Sequence, residues 1–223
     1  MSDEVQKYNA VARAFHWSVG LLILGLLIVG FYMGGVEPPF KFQVYGWHKA
    51  LGILVIVLGV SRIVWRLASS APSSLSSHKQ WEKLLSKTTH LVLYLLIIAM
   101  PLSGWVMSSA GGHPVSFFGL FEVPAIVGEN KELSRLANTM HGVLAYALIV
   151  FVGLHIVGAL KHHVIDKDAT LNRMGGNIIL AILGVVALGA ALFFPAQKIV
   201  GDIVAKNAAS VDGGVESGRD SVQ

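Results

Sequence analysis

The sequence predicts an all-α, polytopic membrane protein: a transmembrane four-helix bundle followed by a fifth, C-terminal transmembrane helix. Three observations lead there. Of 223 residues, 54% are hydrophobic and only 13% charged, a balance outside the range of soluble domains. Five apolar runs, Phe15–Gly34, Trp47–Leu67, His90–Ser108, His141–Leu160 and Asn177–Pro195, each hold 19 to 21 residues. At ~1.5 Å per residue, each is long enough to cross a hydrocarbon core of ~30 Å.

The first run follows the acidic Asp3 and Glu4, exceeds the length of a signal-peptide core and lacks a small-residue cleavage pattern. It is expected to be retained as a helix. A tight turn at Glu37-Pro38-Pro39 leads to the second run. The segment 68–89 opens loose and serine-rich, then turns helical. Ser77 with Gln80 reads as a capping box, which starts the third helix near His78 and carries it amphipathically through Trp81, Leu84 and Leu85. Pro101 lies inside that helix and should kink it. The longest loop, Ala110–Met140, contains Pro114 and Pro124 and a short helix predicted around Lys131–Asn138. It is expected to cover one end of the bundle as a lid. The fifth run lacks histidine, and the tail ending AASVDGGVESGRDSVQ is small, polar and expected to be disordered.

Basic residues set the orientation. Lys7, Arg13, Arg62, Arg66, Lys79, Lys83, Lys87, Lys161, Lys167 and Arg173 fall at one side, against Lys41, Lys49, Lys131 and Arg135 in the loops opposite. The bias predicts a cytoplasmic N-terminus and a periplasmic tail. The net charge of +4 requires no nucleic acid.

Histidine carries the functional signal. There is no cysteine, which excludes disulfides, thiolate-bound iron–sulfur clusters and covalently attached c-type haem. Nine histidines remain as ligands. In HGVLAYALIVFVGLH, residues 141–155, the two histidines are fourteen residues apart. That spacing advances about 21 Å and falls about 40° short of four full turns, so both rings face one side at different depths. By depth, His16 pairs with His155 on the inner side and His48 with His141 on the outer. Ionisable residues inside a membrane span usually mark function.

Zinc commonly takes four ligands including Cys or carboxylate, and the five runs contain no Asp or Glu. Two histidines per layer better suit a porphyrin, whose iron needs two axial ligands. Gly20, Gly52, Gly59, Gly142, Gly153 and Gly158 near these histidines would leave room for a macrocycle, although glycine also serves helix packing. The fold expectation becomes a bundle holding two haems. Arg62, on the inner half of the second helix, either snorkels or pairs with a haem propionate. His90 is a third inner histidine. Lys161, His162 and His163 read first as a basic collar at the membrane edge, and His78 and His113 as solvated loop residues.

The stretches YNAVARAFHW, GWHKALGILV, THLVLYLLIIAMPLSGWVM and MHGVLAYALIVFVGLHIVGALKHH with DKDATLNRM resemble the bacterial cytochrome b561 family of dihaem inner-membrane proteins, over roughly residues 8–174. The resemblance implies that four helices hold two b-type haems, with His16, His48, His141 and His155 at the ligand positions. It implies electron transfer between the periplasmic side and the quinone pool, with superoxide oxidised at the outer haem and ubiquinone reduced near the inner one. Lys49 beside His48 would then attract an anion. Arg13, Lys87, His90 and His162 would serve the quinone with donors and protons. The expected organisation is a b561-like domain at 1–174, an added helix at 175–196 and the tail at 197–223.

The added helix departs from the family pattern and leaves the donor open. The leading expectation is a superoxide:ubiquinone oxidoreductase. The second is an electron-carrying subunit for a periplasmic dehydrogenase or hydrogenase, docked through the long loop and the fifth helix. A histidine-lined transporter is a distant third, since such proteins usually carry intramembrane carboxylates.

Overall fold

The computed structural model describes residues 6–73, 75, 78–177, 179, 182–190 and 193. Four long helices dominate: α1 Ala10–Tyr32, α2 Phe40–Ala68, α3 Gln80–Ala110 and α4 Lys131–Val164. All four are long and apolar enough to cross a membrane. A short helix, α5 Thr170–Arg173, follows α4, and one two-stranded antiparallel sheet joins β1 Val115–Phe117 to β2 Phe121–Val123.

Consecutive helices pack side by side, α1 on α2, α2 on α3 and α3 on α4. Ring contacts between Phe31 and Tyr146 and between His16 and His155 close α4 back onto α1. The core runs along the shared interior. Val19, Ile23 and Leu27 recur every four residues on α1 and meet Val55 of α2, Leu96 and Ile97 of α3, and Ala145, Leu148 and Ile149 of α4. Leu21, Val57, Val64, Leu91, Leu95, Val143, Val150 and Val157 face outward. In water such a surface would be costly; against lipid it is the expected one.

Local chemistry explains the helix ends. The Asn9 side chain caps α1 by accepting the Ala12 N–H at 2.8 Å. The α3 start differs from expectation. The capping carboxylate is Glu82, which accepts the Lys79 N–H at 2.8 Å, and the helix opens at Gln80; Ser77 lies outside the described residues. At α4, Asn130 caps by accepting from both the Glu132 and Leu133 N–H groups. No Gly or Pro interrupts 131–140, so the short helix expected at Lys131–Asn138 is the first turns of α4 itself. His141 therefore sits well inside α4 rather than at its start.

That leaves residues 111–130 as the connection between α3 and α4. It folds as the β1–β2 hairpin, whose turn takes Phe118 at φ 53° and Gly119 at φ 76°, the left-handed geometry that suits tight hairpins. Lys49 Nζ donates to the Pro114 carbonyl at 2.9 Å, Trp105 Nε1 to the Pro124 carbonyl at 3.1 Å, and Trp47 meets Phe118 edge-on. These contacts hold the connection over the end of the bundle opposite the N-terminus.

At the N-terminal end, residues 6–9 are strapped to α5. The Tyr8 N–H donates to the Arg173 carbonyl and Arg173 Nε to the Gln6 carbonyl, both at 3.0 Å. Trp17 Nε1 donates to the Met174 carbonyl at 3.0 Å. The expected fifth span, Asn177–Pro195, lies partly outside the described residues, and the tail 197–223 wholly so. Residues 182–190 are helical. Gly184 there faces Ile156, and Leu188 lies against Gly153 of α4.

Candidate functional site

The four expected ligand histidines meet in two layers. At the N-terminal end, the rings of His16 on α1 and His155 on α4 have centres 5.8 Å apart. Towards the hairpin end, those of His48 on α2 and His141 on α4 are 6.3 Å apart. Two imidazoles bonded to opposite sides of one metal at ~2.0–2.1 Å have ring centres roughly 6 Å apart. Both pairs are compatible with an axial ligand pair. Phase along α4 puts His141 and His155 on one side, and His16 of α1 and His48 of α2 meet them across the bundle at matching depths.

Hydrogen bonding adds a test of fit. His141 Nδ1 lies 3.1 Å from the Met100 carbonyl and 2.9 Å from Ser103 Oγ, which itself donates to that carbonyl at 2.6 Å. A ring whose Nδ1–H is held by a backbone carbonyl presents the Nε2 lone pair to a metal. His48 Nδ1 is buried without a hydrogen-bond partner among the described residues. His16 differs: an Arg62 guanidinium nitrogen stands 3.0 Å from its Nδ1, so Nδ1 accepts. Arg62 must release that atom before His16 can offer Nε2 with a protonated Nδ1. The guanidinium also lies over the Tyr94 ring at 5.6 Å. On these contacts the donor set, neutral imidazoles in facing pairs without thiolate or carboxylate, fits a b-type haem at each layer.

Sequence reasoning missed Ser103, the Met100 carbonyl and two glycines. A Cβ built on Gly30 would stand 3.2 Å from His48 Cε1, and one on Gly104 3.0 Å from His141 Cε1. Of the glycines singled out for a macrocycle, Gly20, Gly52, Gly142 and Gly158 border open space, whereas Gly59 packs on Ile97 and Gly153 on Leu188.

The residues expected around a quinone have separate neighbours. The His90 ring lies 5.2 Å from that of His155, with Nδ1 3.4 Å from Ser86 Oγ. Arg13 lies beside Gly175 and lines a cleft of about 330 Å³ with Trp17, Leu21 and Met174. Lys87 is exposed on α3. His162 joins a different group. Its ring stacks on His78 at 4.2 Å, and its Nδ1 lies 3.1 Å from Asp168. His78, expected in solvent, is largely buried and lies 2.9 Å from the same carboxylate. Burial opposes ionisation of Asp168, but hydrogen bonds from Thr170 and His78 and the charge of His162 outweigh it and hold the carboxyl below its usual range.

Comparison with known proteins places most of the chain among relatives of one family. The family described as prokaryotic cytochrome b561 matches residues 7–177. A protein named cytochrome b561 homolog 2, from Escherichia coli, is 36% identical over 178 residues, covering 77% of this chain and 92% of the relative. One named probable superoxide oxidase CybB, from Yersinia pestis, is 31% identical, covering 76% and 96%. A probable Ni/Fe-hydrogenase B-type cytochrome subunit from Rhodobacter capsulatus is 20% identical, covering 76% and 79%.

Proposed function

The chain belongs to the prokaryotic cytochrome b561 family, bacterial membrane proteins that transfer electrons through b-type haem, and from that premise we propose that it is a dihaem superoxide:ubiquinone oxidoreductase of the inner membrane. The observation that carries the reading is the pair of histidine layers bridged by α4. His16 and His155 would hold one haem, and His48 and His141 the other. Held there, a haem at each layer would supply one-electron transfer between the faces of the membrane.

The rest falls to the protein. By the distribution of basic residues, the His48–His141 layer faces the periplasm and the His16–His155 layer the cytoplasm. Two superoxide anions would each yield one electron at the outer layer and leave as oxygen. Ubiquinone would take the two electrons and two protons at the inner layer and leave as ubiquinol. Lys49, its ammonium anchored on the Pro114 carbonyl, adds positive charge beside His48, where it favours approach of an anion. His90, exposed on α3 and in ring contact with His155, would meet a quinone from the lipid and pass protons; its exposure beside the inner layer supports that reading. Arg13, at its cleft beside Trp17, and Lys87 lie towards the same end of the bundle with separate neighbours, and would serve the quinone there. The superoxide assignment draws on the relative that bears that name at 31% identity.

A second reading, an electron-carrying subunit of a hydrogenase-type complex, draws on the relative at 20% identity and on the helical residues packed against α4 beyond the matched region. On either reading, the cytochrome unit would comprise residues 1–174, followed by the added helix expected at 175–196 and the tail at 197–223.

The test begins with haem counted per chain on the purified protein by the pyridine haemochrome method. Two are expected, with one lost in each of His48→Ala and His155→Ala. Superoxide should then reduce the protein alone, and added ubiquinone should reoxidise it. Reduction only in the presence of a partner dehydrogenase or hydrogenase would favour the second reading. A protein without haem from haem-replete cells would overturn both.

A further inference from the structure

We propose that His78, His162, Asp168 and Asp166 form a binding site for a divalent transition-metal ion of the zinc class, outside the histidine layers at the N-terminal end of the bundle. Two stretches distant in sequence bring the donors together: the connection before α3 supplies His78, and the end of α4 with the turn into α5 supplies His162, Asp166 and Asp168. One ligand atom each from His78, His162 and Asp168 lies within 4.8 Å of the other two. His78 Nε2 is 2.9 Å from Asp168 Oδ2. His162 Nδ1 is 3.1 Å from that oxygen and 2.8 Å from Asp166 Oδ2.

Two features distinguish this group from an ordinary hydrogen-bonded network. First, His162 Nδ1 is buried yet makes no hydrogen bond of acceptable geometry among the described residues, although two carboxylate oxygens lie close to it. His78 Nε2 is hydrogen-bonded to Asp168, so the unsatisfied group is His162 Nδ1, which points a free ligand atom at the carboxylates. Ligands bonded at ~2.0–2.1 Å around a tetrahedral ion lie about 3.3 Å from one another; Asp168 Oδ2 stands 2.9 and 3.1 Å from the two imidazole nitrogens, so small outward movements of these three donors admit the metal, and Asp166, beside His162, would turn in as the fourth. Second, the His78 and His162 rings stack at 4.2 Å and 28° while both direct a nitrogen at Asp168. Protonating both rings would set like charges face to face; a shared cation leaves both neutral.

The surroundings also orient the donors. Thr170 N–H donates to Asp168 Oδ1 at 2.8 Å, which turns Oδ2 towards the two imidazoles. Lys161 Nζ donates to Asp166 Oδ2 at 2.8 Å and pairs with Glu82. Two neutral imidazoles and two carboxylates, with no thiolate, form a borderline-to-hard set that zinc accepts. Such an ion would tie the connection before α3 to the end of α4 and to the turn that leads into α5. The proposal stands independently of the electron donor and assigns His162 to this cluster rather than to the quinone.

The experiment uses the full-length, haem-loaded protein, stripped of loose metal with EDTA and dialysed. Zinc chloride is titrated calorimetrically, and the zinc-loaded sample is measured by X-ray absorption at the zinc edge. One zinc per chain is expected, with a dissociation constant near or below about 1 µM and a nitrogen/oxygen shell at ~2.0–2.1 Å that shows imidazole scattering. His78→Gln and Asp168→Asn should each weaken binding by at least ~10-fold, while His113→Gln, at the other end of the molecule, leaves it unchanged. An unaltered haem-to-protein ratio verifies that each variant is folded. The X-ray absorption of the unmodified protein decides the matter even where a variant fails that check. Absence of saturable binding, a shell without imidazole, or affinity that survives both His78→Gln and Asp168→Asn in folded protein would overturn the proposal.

Discussion

Gly104 gives His141 its place: a Cβ on Gly104 would stand 3.0 Å from the imidazole Cε1. Both residues are fixed by long helices, α3 and α4, and the same stretch of α3 holds the ring's Nδ1 through the Met100 carbonyl and Ser103. An added methyl therefore has to move the ring. Gly104→Ala is expected to reduce haem content from two per chain towards one, with the His16–His155 layer keeping its own. Gly30→Ala, where the corresponding distance to His48 is 3.2 Å, should do the same to a smaller extent. Haem-to-protein ratios of the two variants, purified in parallel, check both.

Ser103 affects the same ring electronically. Its hydroxyl donates to the Met100 carbonyl and leaves a lone pair towards His141 Nδ1. Hydrogen bonds from a ligand's distal N–H make the imidazole a stronger donor, and a stronger donor favours the oxidised metal. Ser103→Ala removes one of two acceptors. The expected outcome is two haems still bound and a higher midpoint potential for one of them. Spectroelectrochemical titration reads both, and a potential unchanged within error would argue that the Met100 carbonyl alone orients the ring.

Arg62 predicts a shift of opposite sign at the other layer. After it releases His16 Nδ1, its guanidinium still belongs to a partly buried position beside that layer, next to Tyr94, where a positive charge is only weakly screened. A nearby cation stabilises the more negative, reduced state of a redox centre. Arg62→Gln should therefore lower the midpoint potential of the His16–His155 centre while haem content stays at two per chain. Redox titration in low and high salt checks this, since an effect on a buried centre should persist at high salt.

Much of this site was legible in the sequence because membrane spans carry few polar residues, so each one is conspicuous. The fourteen-residue interval on α4 gave both layers their depth. The same interval separates His16 from Gly30, His48 from Arg62 and His90 from Gly104. One layer thus draws His16, Arg62, His90 and His155 from four helices, and the other Gly30, His48, Gly104 and His141. The glycines were harder to recognise, because a missing side chain matters only once the helix facing it is known. The Met100 carbonyl and Ser103 depend on the packing of α3 against α4, which periodicity does not fix. His78 illustrates the same limit. Loop position argues for solvent, and only the fold brings it 90 residues along the chain to Asp168. The α4 start was misplaced because hydropathy marks what lipid covers, while a helix continues until a cap or a breaker stops it; Asn130 is that cap.

Gly59 supplies a prediction about the scaffold rather than the site. It lies buried where α2 crosses α3, and a Cβ there would come within 2.6 Å of Ile97 Cγ2. Small residues at such crossings let two backbones approach closely, and dispersion between them is a main source of helix association in lipid. Ile97 is itself buried, with Leu96, Val55 and Leu148 around it, so it has little room to withdraw. Gly59→Ala should destabilise the bundle by ~1–3 kcal/mol, the usual cost of overpacking. The defect is steric and local, so trimming the partner should relieve it: Gly59→Ala with Ile97→Val is expected to recover part of the loss. Thermal unfolding of the two single variants and the double variant in detergent, followed by helical signal and haem absorbance together, completes the cycle. Additive losses in the double variant would show that the contact does not set the helix spacing.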